Sequence, residues 1–157
     1  TLAKREIAID VLIAEVTDKL DSTAVSRGVG ISLNLPESVP AVHGDRDSLE
    51  LLLRKIVENA IGFAPANSKV EVSVVEEKQS EGCKVVVRDS GPGIAASDFQ
   101  AIFESFRQLE GGHTREHPGI GVGLSIASKV AEAHGTEVQV ASTLGEGSTF
   151  SVLLPVR

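Results

Sequence analysis

Four short segments of this sequence hold residues whose types and spacing could do chemistry. The first is Lys55-Ile56-Val57-Glu58-Asn59-Ala60-Ile61-Gly62-Phe63. On a helix, Lys55, Asn59, Gly62 and Phe63 share one stripe beside the apolar one. An Asn amide oxygen there can serve a hard cation such as Mg2+, although taken alone the residue reads as an ordinary polar position on an amphipathic helix. The second segment, Asp89-Ser90-Gly91-Pro92-Gly93-Ile94, follows a Val-rich run. A carboxylate at a strand end can accept a hydrogen bond from an exocyclic amine, and glycines let a flat base approach the backbone. The same residue types also make a plain turn. The third, Gly119-Ile120-Gly121-Val122-Gly123-Leu124-Ser125, opens a helix. Glycines at a helix N-terminus expose backbone N–H groups at its positive end, which suits a phosphate; a flexible hinge is the plainer reading. No strand precedes this segment and no Gly-Lys-Ser/Thr follows, so it is neither a dinucleotide fingerprint nor a P-loop. The fourth, Gly145-Glu146-Gly147-Ser148-Thr149-Phe150, is a turn into a strand.

The elements that must position these segments follow from periodicity. Leu12, Ile13, Val16, Leu20 and Ala24 recur at helical spacing over 9–27, and Gly28 is a stop. Residues 29–35 alternate as a half-buried strand closed by Pro36. Asp45 or Asp47 caps the next helix, whose apolar stripe runs Leu49, Leu52, Leu53, Ile56, Val57, Ala60 and Ile61 until Pro65 ends it. Strands are expected at 69–76 and 83–88, a short helix at about 97–102, and a mobile loop at 108–118. A helix at 121–134 stopped by Gly135 and strands at 137–142 and 148–154 complete the chain. Strands and helices do not alternate strictly. The fold class is therefore an α/β (α+β) two-layer sandwich, with a mixed, mostly antiparallel sheet packed against about three helices.

Composition bounds the function. The chain has 157 residues, enough for one compact domain, and a formal net charge of −7. That charge argues against nucleic acid as a partner, and it requires any polyanionic ligand to be held by local devices: a metal, backbone N–H groups, a few cations. Cys83 is the single cysteine, so an intrachain disulfide and a Cys-based zinc site are excluded, and a reducing cytosol fits. No apolar run approaches the roughly 18–20 residues that cross a bilayer. A chain starting at Thr1 is expected to be a piece of a longer protein.

In their order and spacing, these segments and the aromatic-flanked Ile102-Phe103-Glu104-Ser105-Phe106 resemble the ATPase domain shared by histidine kinases, Hsp90, type II topoisomerases and MutL proteins. Within that superfamily the chain is most similar to the catalytic domain of two-component sensor histidine kinases, over about residues 9–155. The resemblance implies a Bergerat ATP-binding fold at 9–157 with an ATP lid at about 95–118, and it makes 1–8 a residual linker from a dimerisation hairpin. It implies ATP and Mg2+ as ligands. Asn59 would coordinate the metal; Asp89 would bind the adenine amine, with Gly91, Gly93 and Ile94 shaping that pocket and Thr149 supporting it. Gly119, Gly121, Val122, Gly123 and Leu124 would meet the phosphates, and Gly62, Phe63 and Phe106 complete the nucleotide-binding set. Phe103 and Phe106 would anchor the lid, and Arg107, ahead of Arg115, His113 and His117, is the candidate γ-phosphate contact.

The implied reaction moves the γ-phosphoryl group of ATP to a histidine on a separate dimerisation domain, which then serves a response regulator. None of His43, His113, His117 or His134 has the setting of that acceptor, and His134 reads as a structural cap. The chain is expected to be monomeric and cytoplasmic, or the cytosolic part of a membrane-bound sensor. Two departures stand out: Lys55 where the family usually has Asn, and Gly62 where it often has Lys. Lys55 either replaces the missing cation from one turn earlier, or repels Mg2+, or is tolerated variation. The catalytic set is thus Asn59, Lys55 and Arg107, and the alternative is a degenerate domain that binds nucleotide or protein without phosphoryl transfer. A chaperone- or topoisomerase-type ATPase would need a water-activating Glu near position 55; Glu58 points about a quarter-turn away.

Overall fold

Apolar spacing builds the first two helices. The computed structural model describes residues 3–77, 82–90, 118–143 and 147–156. In α1 (Ile9–Ser26), Ile9, Leu12, Ile13, Val16, Leu20 and Ala24 form one buried stripe. Gly28, at φ +74°, turns the chain out of the helix. In α2 (Arg46–Phe63), Leu49, Leu52, Leu53, Ile56, Val57, Ala60 and Ile61 are buried. Asp45, of the two candidate caps, is the one used: its carboxylate accepts from the Ser48 N–H at 3.0 Å. The last helix, α3 (Pro118–Ala133), starts three residues earlier than the glycines suggest, with Pro118 at its first position. Proline is tolerated there because that N–H has no intrahelical partner.

The strands are β1 (Arg5–Ile7), β2 (Val29–Asn34), β3 (Val42–Gly44), β4 (Ser68–Glu77), β5 (Gly82–Asp89), β6 (Val138–Thr143) and β7 (Gly147–Pro155). Five of them form a sheet in the order β2-β4-β5-β7-β6. Only the β2–β4 pair is parallel; β4–β5, β5–β7 and β6–β7 are antiparallel. Val70, Val72 and Val74 of β4, Cys83, Val85 and Val87 of β5, and Phe150, Val152 and Leu154 of β7 face the helices and are buried. The intervening residues Lys69, Glu71, Lys84 and Arg88 lie on the other face. The result is the expected two-layer sandwich, with a mostly antiparallel sheet and, among the described residues, three helices on one face. Inside the expected linker, Arg5–Ile7 pairs with β3 as a small separate sheet. The expected helix at 97–102 and loop at 108–118 lie outside the described residues except for Pro118.

Two polar ties fix the helices against one another. Arg46 holds Glu15 of α1 through both carboxylate oxygens (2.6 and 3.0 Å), and Glu50 accepts from Lys19 at 3.1 Å and from Arg46 at 3.2 Å. At the other flank, the Asp45 backbone N–H donates to His134 Nε2 at 3.0 Å, and His134 Nδ1 lies 2.9 Å from the Val130 carbonyl. An acceptor at Nε2 places the ring proton on Nδ1, which donates to Val130. His134 is therefore a bridge between helices, more than the terminal cap its position beside Gly135 suggests. Truncation, His134→Ala, leaves a partly buried N–H without its acceptor and should lower the unfolding free energy by about 1–3 kcal/mol in urea titrations.

Acid should loosen the same ties. The Asp45 carboxyl is held below the usual aspartate range by the N–H of Ser48 and then that of Ala3. Glu50 is lowered by its hydrogen bond to Lys19 and, beyond that, by Arg46. Groups depressed in the fold contribute stability above their unfolded values, about 4, and lose it as pH falls through the lower folded ones. The thermal midpoint should drop as pH is taken from about 5 to 2, and the drop should shrink in the Asp45→Asn/Glu50→Gln variant.

Candidate functional site

Chain direction brings the candidate residues to one end of the sandwich. The C-terminal end of α2 leads through a short loop into β4, so it lies where β4 begins. Strand β5 runs antiparallel to β4, which puts its last residue, Asp89, at that same end. Strand β7 starts there too, because Asp89 pairs with Ser148. Helix α3 packs along α2, and its C-terminal His134 meets the cap of α2. The two helices therefore run antiparallel, and the N-terminus of α3 faces the C-terminal turns of α2. Asn59, Gly62 and Phe63, Asp89, the start of β7 and the glycine turn of α3 thus converge. Phe63 ties the corner together by stacking on Phe150 of β7 at 6.5 Å between ring centroids.

Two polar side chains enter the core at this end. Asn59 is 5% exposed, deeper than the helix edge its spacing suggests, and its Nδ2 lacks a hydrogen-bond partner among the described residues. Rotation of the amide exchanges its nitrogen and oxygen, so the position can present an oxygen to a cation. Among the described residues no group of three or more His, Cys, Asp or Glu could cage a metal. An amide oxygen is a donor type that Mg2+ accepts alongside oxygens of a bound ligand. Asp89 is 2% exposed and continues the inward parity of Cys83, Val85 and Val87. An ionised carboxylate only accepts hydrogen bonds, so the strand end places an acceptor at this end of the sheet.

Gly147 sets how closely β7 enters beside this strand end. Its φ is +104°, and a Cβ would come 2.1 Å from the Asp89 carbonyl oxygen and 2.9 Å from the Ser90 Cα. Only glycine lets the β7 entry lie this close to the strand end that carries the carboxylate.

Thr149 does not share the pocket's side of the sheet. It pairs with Arg88 on the outer face, where it lines a recess of about 510 Å³ with Lys84, Val86, Gln139, Val140, Ala141 and Ser151. The residue opposite Asp89 on the core side is Ser148, which is buried. The buried Phe150 is the signal that finds it, since residues two apart in a strand share a face. In a helix beginning at Pro118, the free amides belong to the first turn. The Gly119 N–H has no intrahelical acceptor, while those of Gly123 and Leu124 enter the helix ladder, and the Leu124 side chain is core. Gly91, Gly93, Ile94, Phe103, Phe106, Arg107, His113, Arg115 and His117 lie outside the described residues.

Known proteins share this arrangement. A family model described as histidine kinase-, DNA gyrase B-, and HSP90-like ATPase matches residues 44–157. The adaptive-response sensory kinase SasA of Prochlorococcus marinus is 34% identical over 143 residues, which are 91% of this chain and 37% of that protein. Among solved structures, full-length ShkA in complex with AMPPNP superposes with a TM-score of 0.84 at 27% identity, over 99% of this chain and 31% of that one. The catalytic domain of the histidine kinase ThkA superposes with a TM-score of 0.82 at 23% identity, over 98% of this chain and 97% of that one, a likeness of fold. The chain spans about a third of the length of the curated relatives it matches.

Two glycines of the site should respond oppositely to a methyl group. Gly147→Ala meets backbone atoms at a positive φ and should cost on the order of 1–3 kcal/mol or more. Gly62 has nothing within 4 Å of its would-be Cβ and sits in a helix, so Gly62→Ala should add about 0.5–1 kcal/mol. Urea unfolding followed by circular dichroism reads both.

Proposed function

The chain belongs to the histidine kinase-, DNA gyrase B- and HSP90-like ATPase family, and on that premise we propose that it is the ATP-binding catalytic domain of a sensor histidine kinase. Its reaction is transfer of the γ-phosphoryl group of ATP to a histidine on a separate dimerisation domain, which in turn supplies a response regulator. The observation that carries this reading is the buried Asp89 carboxylate under Gly147, at the same end of the sandwich as the buried Asn59 amide. Asn59 Nδ2 has no hydrogen-bond partner among the described residues, which leaves the amide able to meet a polar ligand.

Each residue has a task on this reading. Asp89 accepts from the adenine amine, and Ser148 lines its pocket from the next strand. Phe63, stacked on Phe150, walls the apolar side. Gly119 and the first turn of α3 offer N–H groups and the positive helix end to the phosphates, with Gly121, Val122, Gly123 and Leu124 shaping that turn. Asn59 holds Mg2+, which when bound neutralises phosphate charge. Gly91, Gly93, Ile94, Phe106 and Arg107 belong to the same site by resemblance. Positioning and charge neutralisation supply most of the catalysis of such a transfer. The chain works in the cytoplasm as a monomeric domain of a longer protein; no helix among the described residues is long and apolar enough to cross a membrane.

Calorimetric titration with a non-hydrolysable ATP analogue tests the assignment. Asp89→Asn should weaken binding about 10–100-fold, the range of a hydrogen bond to a charged group. Asn59→Ala should abolish any tightening by Mg2+. Ser148→Ala should cost several-fold while Thr149→Val costs nothing. Unchanged affinity in Asp89→Asn would remove the adenine assignment.

A further inference from the structure

The triphosphate end of this site needs positive charge, and the chain as a whole is strongly negative. Helix geometry identifies where a cation stands. Arg46 and Glu50 mark the edge of α2 that faces α1. At 100° per residue, Lys55 and Asn59 lie only about 40° apart on the opposite flank, towards α3, with Lys55 one turn before Asn59. Arg54, its neighbour in sequence, falls on the α1 side. Arg27 is engaged elsewhere, donating from Nη2 to the Gly62 carbonyl at 3.2 Å. Lys129 is about 15 Å along α3 from Gly119 by helical rise. Gly62, beside Asn59 on the C-terminal side, has no side chain to offer, and the space around it is open.

Lys55 is also held loosely. Its Nζ lies 3.5 Å from Glu58 Oε1, with the two side chains 26% and 41% exposed. An i,i+3 pair on a helix surface, with the lysine on the N-terminal side, is a weak tie. A polyphosphate carries several charges and makes a far stronger partner for an ammonium.

On the reading that this end binds ATP, we propose that Lys55 is a phosphate-binding cation of the site, released from Glu58 when a polyphosphate arrives, and that it lets the site hold the nucleotide without a divalent metal. Glu58 then acts as a resting counter-ion, and the charge that a lysine at position 62 would supply comes from one turn before Asn59. Asn59 adds the metal-dependent part of the affinity and Lys55 the metal-independent part.

Titrations of the whole chain with a non-hydrolysable ATP analogue and with adenosine, each in EDTA and in Mg2+, separate the possibilities. In EDTA, Lys55→Gln should bind the analogue about tenfold or more weaker than wild type, and Lys55→Arg should restore most of that loss. With Mg2+ the loss should shrink, and adenosine affinity should stay unchanged throughout. Glu58→Gln should tighten metal-free binding of the analogue by about 1.5- to twofold, the size of the freed ion pair. Equal binding of the analogue by wild type and Lys55→Gln in EDTA overturns the proposal alone, as does an equal loss for adenosine or a wild type that binds the analogue only with Mg2+. A wild type that binds neither adenosine nor the analogue overturns the ATP reading and this proposal with it.

Discussion

The hydrogen bond from the Asp45 amide to His134 Nε2 sets the direction of one helix against another, and the site depends on that direction. Helix α3 could cover the sheet with either end towards Asn59. With its C-terminus tied to the cap of α2, the end that reaches Asn59 is the N-terminus, where free amides and the positive end of the dipole lie. Reversed, the same helix would bring carbonyls and negative potential to a site meant for phosphate. The tie is compact: Asp45 caps α2 with its side chain and spends its backbone N–H on α3, and Gly44, just before it, has no side chain to collide with Leu49 or the His134 ring.

The remainder of the site trades core stability for binding. Asn59 and Asp89 occupy inward positions that an apolar residue could fill, since their neighbours in the same stripe or strand are Ile56, Ala60, Val85 and Val87. An amide and a carboxylate cost more to bury there than an apolar side chain would. Gly147 adds a second concession, a positive φ accepted so that β7 can pass close to the Asp89 backbone. These concessions cluster at one end of a sheet whose other inward positions are Val, Leu, Phe and Cys.

Most of this layout was legible from patterns long enough to show a period. The stripe of α2 spans several turns, and the valines of β4 and β5 alternate or run together, so both elements and their inward faces could be read. The pair β1 and β3 could not, because three residues show no period and their pairing joins segments far apart in sequence. The start of α3 was displaced because glycine is a poor helix former, and Gly119 and Gly121 mask a helix whose packing on α2 overrides propensity. Motif resemblance points to Thr149, whereas the parity set by Phe150 puts Ser148 on the core face beside Asp89. The spacing of Asn59 marks a helix edge, and its depth depends on how α3 packs along α2, which no local pattern shows.

The charge pattern on α2 follows from the same helical arithmetic. On the α1 side, Arg46 and, opposite it, Lys19 pair with Glu15 and Glu50 and hold helix to helix. On the α3 side the helix presents Lys55 with a single exposed glutamate as partner, one turn before an amide whose Nδ2 has no hydrogen-bond partner among the described residues. A helix whose charges served only solubility would have no reason to divide them in this way. One flank spends its cations on structure, where several short bonds converge on each carboxylate. On the other flank Lys55 sits on a long, weakly held tether, and its ammonium can change partners without loosening either helix.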